Sequence, residues 1–488
     1  MFDWTFDAET NGLLLTAGRA LTRNSEAAPV YATELRLFGL DEKIGIPEET
    51  GTPIAWYKRG AYYYEGHKFA RRRDAEVELL QAPTPQGVPM RAVDLEGMKR
   101  KNAALLSQLE DTSAQALRAE IGKRGVGAFN VAYSGGKDSE ALLLFALRRF
   151  PEAIRRVVFA DTTMEFNETL AHVEATGQTL SAYGIELETV RPYIDGLTGW
   201  RLFGVPSRNC RWCCQTCKSG ALAKLADGGS VYVMGARASE SKYRASYGID
   251  AGDRSLTAAP TFRPLFDWTS AEVWIYLLAH GAKINPVYRH GHHRACCLVC
   301  PFSSPFEVEI TKRMASEQIE PYRQEYLRQF PGHEANFARR YKGDDGTWSR
   351  VNSQALRGDF PILEKIEDNI CKYILPESYN INTHWLELAR RKYEFKLYNP
   401  RENEYIIAFY TLKHTSDNRL FKNILNRTFY CVSCGYCINY CTKGAIKILN
   451  ITGGKIHIIQ DKCDNCLECV KSECIRAKAL RGFRGNEP

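Results

Sequence analysis

Cysteine placement constrains this chain more than any other feature. The 488-residue sequence holds 16 cysteines, and all but Cys371 fall into four tight groups. Cys210, Cys213, Cys214 and Cys217 form the first, and Cys296, Cys297 and Cys300 the second. Cys431, Cys434, Cys437 and Cys441 form the third, and Cys463, Cys466, Cys469 and Cys474 the fourth. The length suggests about three domains at roughly 150 residues each. The opening MFDWTFDAET carries acids where a signal peptide would carry bases, and no apolar run approaches the ~18 residues of a membrane span. A soluble, cytoplasmic protein is expected, and there clustered cysteines read as metal or redox sites rather than disulfides. Lys and Arg total 65 against 57 Asp and Glu, and the net +8 permits an anionic partner without requiring one.

Residues 1–75 read as a small β-rich module, with β-prone runs at Gly12–Thr16, Ala55–Lys58 and Ala61–Tyr64 broken by Gly and Pro. Residues 76–125 read as a helical linker, leucine-spaced over Glu96–Leu109. From 126 to 305 the pattern becomes apolar strand, Gly-rich turn and apolar helix. Asn130–Tyr133, Val157–Ala160 and Val231–Met234 are the strand signals of an α/β domain, a mostly parallel sheet flanked by helices. Residues 306–427 read as a mostly helical connector, with an amphipathic helix at Trp385–Tyr393 and a strand at Tyr405–Tyr410. Residues 428–482 hold the last two cysteine groups, and between them Ala445–Ile451 and Lys455–Ile459 suggest a hairpin.

Cys431-x-x-Cys434-x-x-Cys437-x-x-x-Cys441 and the similar run from Cys463 to Cys474 have the spacing of two bacterial ferredoxin halves. The segment 428–482 resembles a two-cluster [4Fe-4S] ferredoxin, an α+β domain, although Thr442 stands where such runs usually carry proline. That resemblance implies one cluster on Cys431, Cys434, Cys437 and Cys474 and another on Cys463, Cys466, Cys469 and Cys441. A pair of zinc knuckles is the alternative.

Ser134-Gly135-Gly136-Lys137-Asp138-Ser139 follows a β-run and opens a helix, where converging backbone N–H groups suit a phosphate. It is not the GxxxxGK[ST] loop of kinase-type NTPases. The string resembles the pyrophosphate loop of PP-loop ATP pyrophosphatases and of sulfonucleotide (PAPS and APS) reductases, which share an adenine nucleotide alpha hydrolase fold. Val157–Thr163 with Glu165-Phe166, Gly235-Ala236-Arg237 with Glu240–Arg244, and Pro264-Leu265, Trp268, Asn285-Pro286, Tyr288, Gly291 and Arg294 are similar to the PAPS reductase family over 128–305. The resemblance implies that Ser134, Gly135, Gly136, Lys137, Asp138 and Ser139 cradle phosphates, with Lys137 and Asp138 at the reaction. It places Asp161 and Thr162 near the nucleotide, and Arg237 against a charged substrate group. For Arg237 and Arg244 a solvated surface position is the alternative.

Cys213-Cys214 followed far downstream by Cys297-x-x-Cys300 resembles the [4Fe-4S] pattern of APS reductases. The ligand set stays open: Cys210 with Cys213, or Cys214 with Cys217, could equally pair with Cys297 and Cys300, and a structural zinc is the bland reading. A spare thiol such as Cys217 or Cys296 is a candidate persulfide carrier or nucleophile. Reductases of this kind carry an attacking thiol in a Glu-Cys-Gly-type motif, whereas Glu473-Cys474 is followed by Ile475-Arg476.

The expected function is therefore an iron–sulfur enzyme with three [4Fe-4S] clusters, binding ATP or adenylyl sulfate with Mg. It would transfer sulfur to an adenylated acceptor, tRNA or DNA being candidates, with electrons from its ferredoxin domain and an electron donor protein behind it. This also resembles tRNA thiolases and the sulfurtransferase of DNA phosphorothioation. A sulfonucleotide reductase is the alternative, and a non-catalytic Fe–S nucleotide sensor the reading from another class. Basic runs at Arg71–Arg73 and Arg390–Lys392 and an Arg-Gly tail at 481–485 would suit a nucleic acid.

Overall fold

A computed structural model describes residues 2–18, 26–207, 211–226, 229–246, 248–250, 256, 259–334, 337, 363–367, 370–376, 383–398, 405–411, 415–450, 455–471 and 474–475. Cys210 and the Arg-Gly tail lie outside the described residues.

The chain opens with an antiparallel hairpin of β1 (Asp3–Asp7) and β2 (Gly12–Thr16). An antiparallel sheet follows, built from β3 (Ala27–Val30), β4 (Ala55–Lys58), β5 (Ala61–Tyr64), β6 (His67–Arg73) and β7 (Glu76–Leu79) in that order, with helix α1 (Ala32–Leu37) between β3 and β4. Strand β7 lies in what the sequence suggested was linker, so the β-module runs to Leu79. Helix α2 (Leu95–Arg124) is not a linker either. Asp94 caps it by accepting from the Gly97 N–H at 2.9 Å, and Met98, Leu106, Leu109, Ala114 and Leu117 enter the main core. Asn102, buried on α2, ties the hairpin down: its Oδ1 accepts from Leu15 N–H at 2.7 Å and its Nδ2 donates to the Leu13 carbonyl at 2.8 Å.

The central sheet is all parallel, in the order β10–β9–β8–β11–β12. Its strands are β8 (Phe129–Tyr133), β9 (Ile154–Ala160), β10 (Leu187–Val190), β11 (Val231–Met234) and β12 (Thr261–Phe262). The crossovers carry α3 (Lys137–Arg149) and α4 (Asn167–Ser181), then α5 (Gly196–Phe203) and a π-helical turn, Cys214–Ser219, that runs into α6 (Gly220–Ala223). After β11 come α7 (Lys242–Ala245) and, beyond β12, α8 (Ser270–Ala279). Parallel strands covered on both faces read as continuous apolar runs, as Val157–Ala160 does. Every residue of α8 is buried, and Glu272 within it accepts from the N–H groups of Thr269 and Phe2, both at 2.5 Å, which satisfies its charge.

Helices α9 (Pro305–Met314) and α10 (Ser316–Gln329) follow. The expected helical connector at 306–427 then departs from the sequence reading, because a four-stranded antiparallel sheet lies inside it. Its order is β13 (Leu363–Glu367), β14 (Ile370–Pro376), β16 (Tyr405–Thr411) and β15 (Phe395–Tyr398). The β-branched and aromatic content of Ile370–Pro376 carries that signal. Helix α11 (Thr383–Arg390) lies between β14 and β15, and α12 (Thr415–Tyr430) leads to the C-terminal cysteines. There β17 (Ile446–Asn450) and β18 (Lys455–Ile458) form the hairpin, ahead of α13 (Glu468–Lys471). Among the described residues the cysteines are all thiols, and no helix is long and apolar enough to cross a membrane.

Candidate functional site

The Ser134–Ser139 loop sits where β8 ends and α3 begins, at the C-terminal edge of the parallel sheet. Gly135 adopts φ +66°, a left-handed conformation that a side chain resists, and Gly136 is the residue before the helix. The loop is braced from outside: Asn285 Nδ2 donates to the Gly135 carbonyl at 3.0 Å, and the Tyr288 hydroxyl accepts the Lys137 N–H at 2.8 Å. Inside it, Ser139 Oγ donates to the Gly136 carbonyl at 2.8 Å and accepts from Ser134 N–H at 3.1 Å. A Cβ on Gly235, just past β11, would collide with the Asp138 carbonyl, so glycine lets β11 close on the loop.

Asp138 joins two cations. Arg237 Nε donates to its Oδ1 at 2.6 Å and Lys137 Nζ to its Oδ2 at 2.7 Å. Burial opposes the charge, but Arg237 and then Lys137 outweigh it and hold the Asp138 carboxyl well below the usual carboxylate range. Arg237 is 1% exposed and donates also to Ser239 Oγ and the Trp268 carbonyl, which answers the surface alternative. Arg244 does sit at the surface, paired with Glu240, which Arg294 approaches at 3.6 Å.

Asp161 and Thr162 follow β9, next to the loop's strand in the sheet. Asp161 Oδ1 accepts from Thr163 N–H at 2.8 Å and its Oδ2 from Arg191 Nε at 2.8 Å. Thr162 Oγ1 donates to Glu165 Oε1 at 2.6 Å and lies 3.4 Å from Cys297 Sγ. That contact brings the C-terminal end of β9 and the internal cysteines to one place.

The six described internal cysteines gather there. The thiols of Cys213 and Cys214 are hydrogen-bonded, as are those of Cys296 and Cys300, and Cys297 feels both Cys300 and Cys214. The Cys213–Cys214 bond, then burial, pushes the Cys213 thiol up, and burial pushes Cys297 up. Cys217 is fully buried, and burial pushes its thiol up to about 12. A buried, protonated thiol is a poor nucleophile, so this placement does not favour the attacking role suggested for Cys217.

The C-terminal cysteines line two cavities. Cys441, Cys463, Cys466 and Cys469 surround one, with Leu388, Ala445, Ile446, Ile458 and Leu467. Cys431, Cys434, Cys437 and Cys474 surround the other, with Trp385, Ile456, Ile475 and Arg427. Four thiols facing one apolar-walled cavity are a donor set for a [4Fe-4S] group, whose thiolates bind separate irons. Among the described residues no three His, Cys, Asp or Glu side chains converge as the ligands of a single metal ion would.

Sequence reasoning missed residues whose partners are far away along the chain. Arg72, read as part of a basic run, is buried: it pairs with Glu34 at 2.9 Å, lies over the Phe306 ring at 3.7 Å, and reaches His293 and the Gly291 carbonyl. It thus links the N-terminal sheet to the loop leading into Cys296 and Cys297. Arg71 pairs with Glu78, and Arg391 donates to the Cys463 carbonyl at 3.3 Å. Tyr133, Glu140 and His172 form a buried network behind the loop, with Tyr133 Oη donating to Glu140 Oε2 at 2.5 Å.

Residues 128–303 match the family model of the phosphoadenosine phosphosulfate reductase domain. An uncharacterized protein of Methanocaldococcus jannaschii is 35% identical over 190 residues, 38% of each chain. An adenosine 5'-phosphosulfate reductase of Allochromatium vinosum is 26% identical over 177 residues, 35% of this chain and 68% of that one. A solved U34-tRNA thiolase of Methanococcus maripaludis with its [4Fe-4S] cluster aligns at 14% identity and TM-score 0.31, over 52% of this chain and 84% of that one. Likeness at that level carries no argument. The chain spans 38% and 51% of the lengths of two M. jannaschii relatives, both uncharacterized.

Proposed function

We propose that this chain, whose residues 128–303 make a phosphoadenosine phosphosulfate reductase-like PP-loop domain, is an iron–sulfur enzyme that transfers sulfur to an acceptor activated by ATP. The observation that carries the reading is the 3.4 Å approach of Cys297 Sγ to Thr162 Oγ1, which sets thiol chemistry beside the nucleotide loop.

Ser134, Gly135, Gly136 and Ser139 hold the phosphates through the turn and the start of α3, and Lys137 adds a cation there. An acceptor oxygen attacks the α-phosphorus, the bond to pyrophosphate breaks, and a sulfur nucleophile then displaces AMP from the adenylated acceptor. Arg237 keeps Asp138 ionised and fixed, so that Lys137 is held at the loop. Cys213, Cys214, Cys297 and Cys300 would hold one [4Fe-4S] group, and the two C-terminal sets one each. Those groups, when bound, supply electrons at low potential. The acceptor is a nucleic acid such as tRNA or DNA. Burial of the Arg72 side chain takes one of the proposed basic contacts away from that partner, and the half-exposed Arg244 and exposed Arg294 flank Glu240, which accepts the Arg237 N–H.

A second reading is a sulfonucleotide reductase, and the named reductase among the relatives favours it. Against it, Cys474, in the context nearest to an attacking-thiol motif, lies buried beside Cys431, Cys434 and Cys437. Products separate the two. Anaerobic protein given ATP, sulfide and tRNA or DNA should release pyrophosphate and AMP; sulfite from APS or PAPS supplied with a low-potential electron donor, with no pyrophosphate from ATP, would establish the reductase instead.

A further inference from the structure

His384 and His457 meet at the seam between α11 and β18, and no step of the proposed reaction uses them. Both are half-buried, and His457 Nδ1 lies 3.1 Å from His384 Nε2. The rings stand at 88° with their centres 4.5 Å apart, closer than an end-to-end N–H···N bond of normal length would hold them. The two nitrogens therefore do not point head-on at each other.

A simple hydrogen bond between the rings leaves the pair poorly satisfied. If His457 donates, the proton of His384 sits on Nδ1, which is buried without a hydrogen-bond partner, 3.6 Å from Glu387 Oε2. If His384 donates instead, its bare Nδ1 lone pair faces that carboxylate. Either way a buried polar atom stays unpaired, which is unfavourable. Glu387 is held in place, because Gln460 Nε2 donates to the same Oε2 at 2.9 Å. Gln460 has its own Oε1 buried and unpartnered.

Two close imidazole nitrogens, one ring backed by a carboxylate, are a donor set for a divalent transition metal. Bonds of about 2.0–2.1 Å to both nitrogens subtend roughly 100° across the 3.1 Å gap, between the square-planar and tetrahedral angles. We propose that His384 Nε2 and His457 Nδ1 bind a divalent ion of the zinc class, with water in its remaining positions and Glu387 as the outer partner of His384. Each ring stays neutral, its proton on the nitrogen turned away from the ion, so that His384 Nδ1–H closes on Glu387. Helix α11 and strand β18 also wall both C-terminal cavities, through Leu388 and Ile458 on one and Trp385 and Ile456 on the other. The ion thus pins the frame around those cysteines. The site does not depend on what the cysteines hold.

The test is equilibrium dialysis of anaerobic full-length holoprotein against Zn²⁺ alone, with zinc and iron counted per chain and thermal unfolding followed in parallel. Wild-type protein should bind one zinc more than the double variant His384→Asn, His457→Asn, with equal iron in both. Its Tm should rise with zinc, and that of the double variant should not. Glu387→Gln should keep the site but weaken it about tenfold. Equal zinc uptake by wild type and double variant would overturn the site: the histidines would be a hydrogen-bonded pair only, and any zinc taken up would belong to the cysteines. If the double variant fails to fold, His384→Gln and His457→Gln decide singly. Each should lose the extra zinc at a concentration that saturates wild type, and its retention by both would overturn the site.

Discussion

Arg237 Nε and Asp138 Oδ1 meet at 2.6 Å although 99 residues separate them, so the segment just past β11 locks the Ser134–Ser139 loop at the start of α3. Removing one partner of a buried ion pair strands the other, at about 3–5 kcal/mol. Lys137 still faces Asp138, so Arg237→Ala should cost the lower part of that range by denaturant titration. Lys137→Ala and Asp138→Ala should abolish nucleotide turnover and leave the iron content unchanged. Wild-type turnover in either variant would remove the loop from the active site.

The three cysteine sets predict about 12 irons per anaerobically purified chain. Cys466→Ser should lower the content by about four. A wild-type value near eight would mean that the internal cysteines hold no four-iron group.

Arg72 and Glu34 are 8% and 1% exposed at their side chains, and Tyr62 Oη donates to the same carboxylate at 2.6 Å. Arg72→Met should destabilise by about 3–5 kcal/mol, since it leaves a buried carboxylate uncompensated. Pairing it with Glu34→Gln should recover much of that loss. Equal stability of the single and double variants would contradict the buried-pair account.

His292 is buried against the Phe166 ring, and burial pushes its imidazole down to about 3. The unfolded chain protonates near the ordinary histidine value, so it binds more protons than the native state between about 6.5 and 3. Stability should therefore be full above pH 7 and fall as the solution is acidified through that window. His292→Gln should flatten the acid limb of a Tm-against-pH curve, and an unchanged limb would show that other groups set it.

The central fold was legible because parallel strands and Gly-rich turns write themselves locally: Val157–Ala160 and Val231–Met234 lie in β9 and β11. The loop was legible for the same reason. The buried roles of Arg72 and Arg237 were not, because a single sequence shows charge without burial, and Glu34 and Asp138 are distant in it. Strands β13 and β14 were missed because short β-runs amid charged residues lack a strong period.

The most direct test of the account is product analysis under anaerobic conditions, with ATP as the only nucleotide, sulfide as the sulfur source, and tRNA or DNA as acceptor. Pyrophosphate and AMP are expected in equal amounts, with sulfur in the acceptor. Absence of pyrophosphate from fully iron-loaded protein, together with sulfite released in a parallel assay given APS or PAPS and a low-potential electron donor, would contradict it.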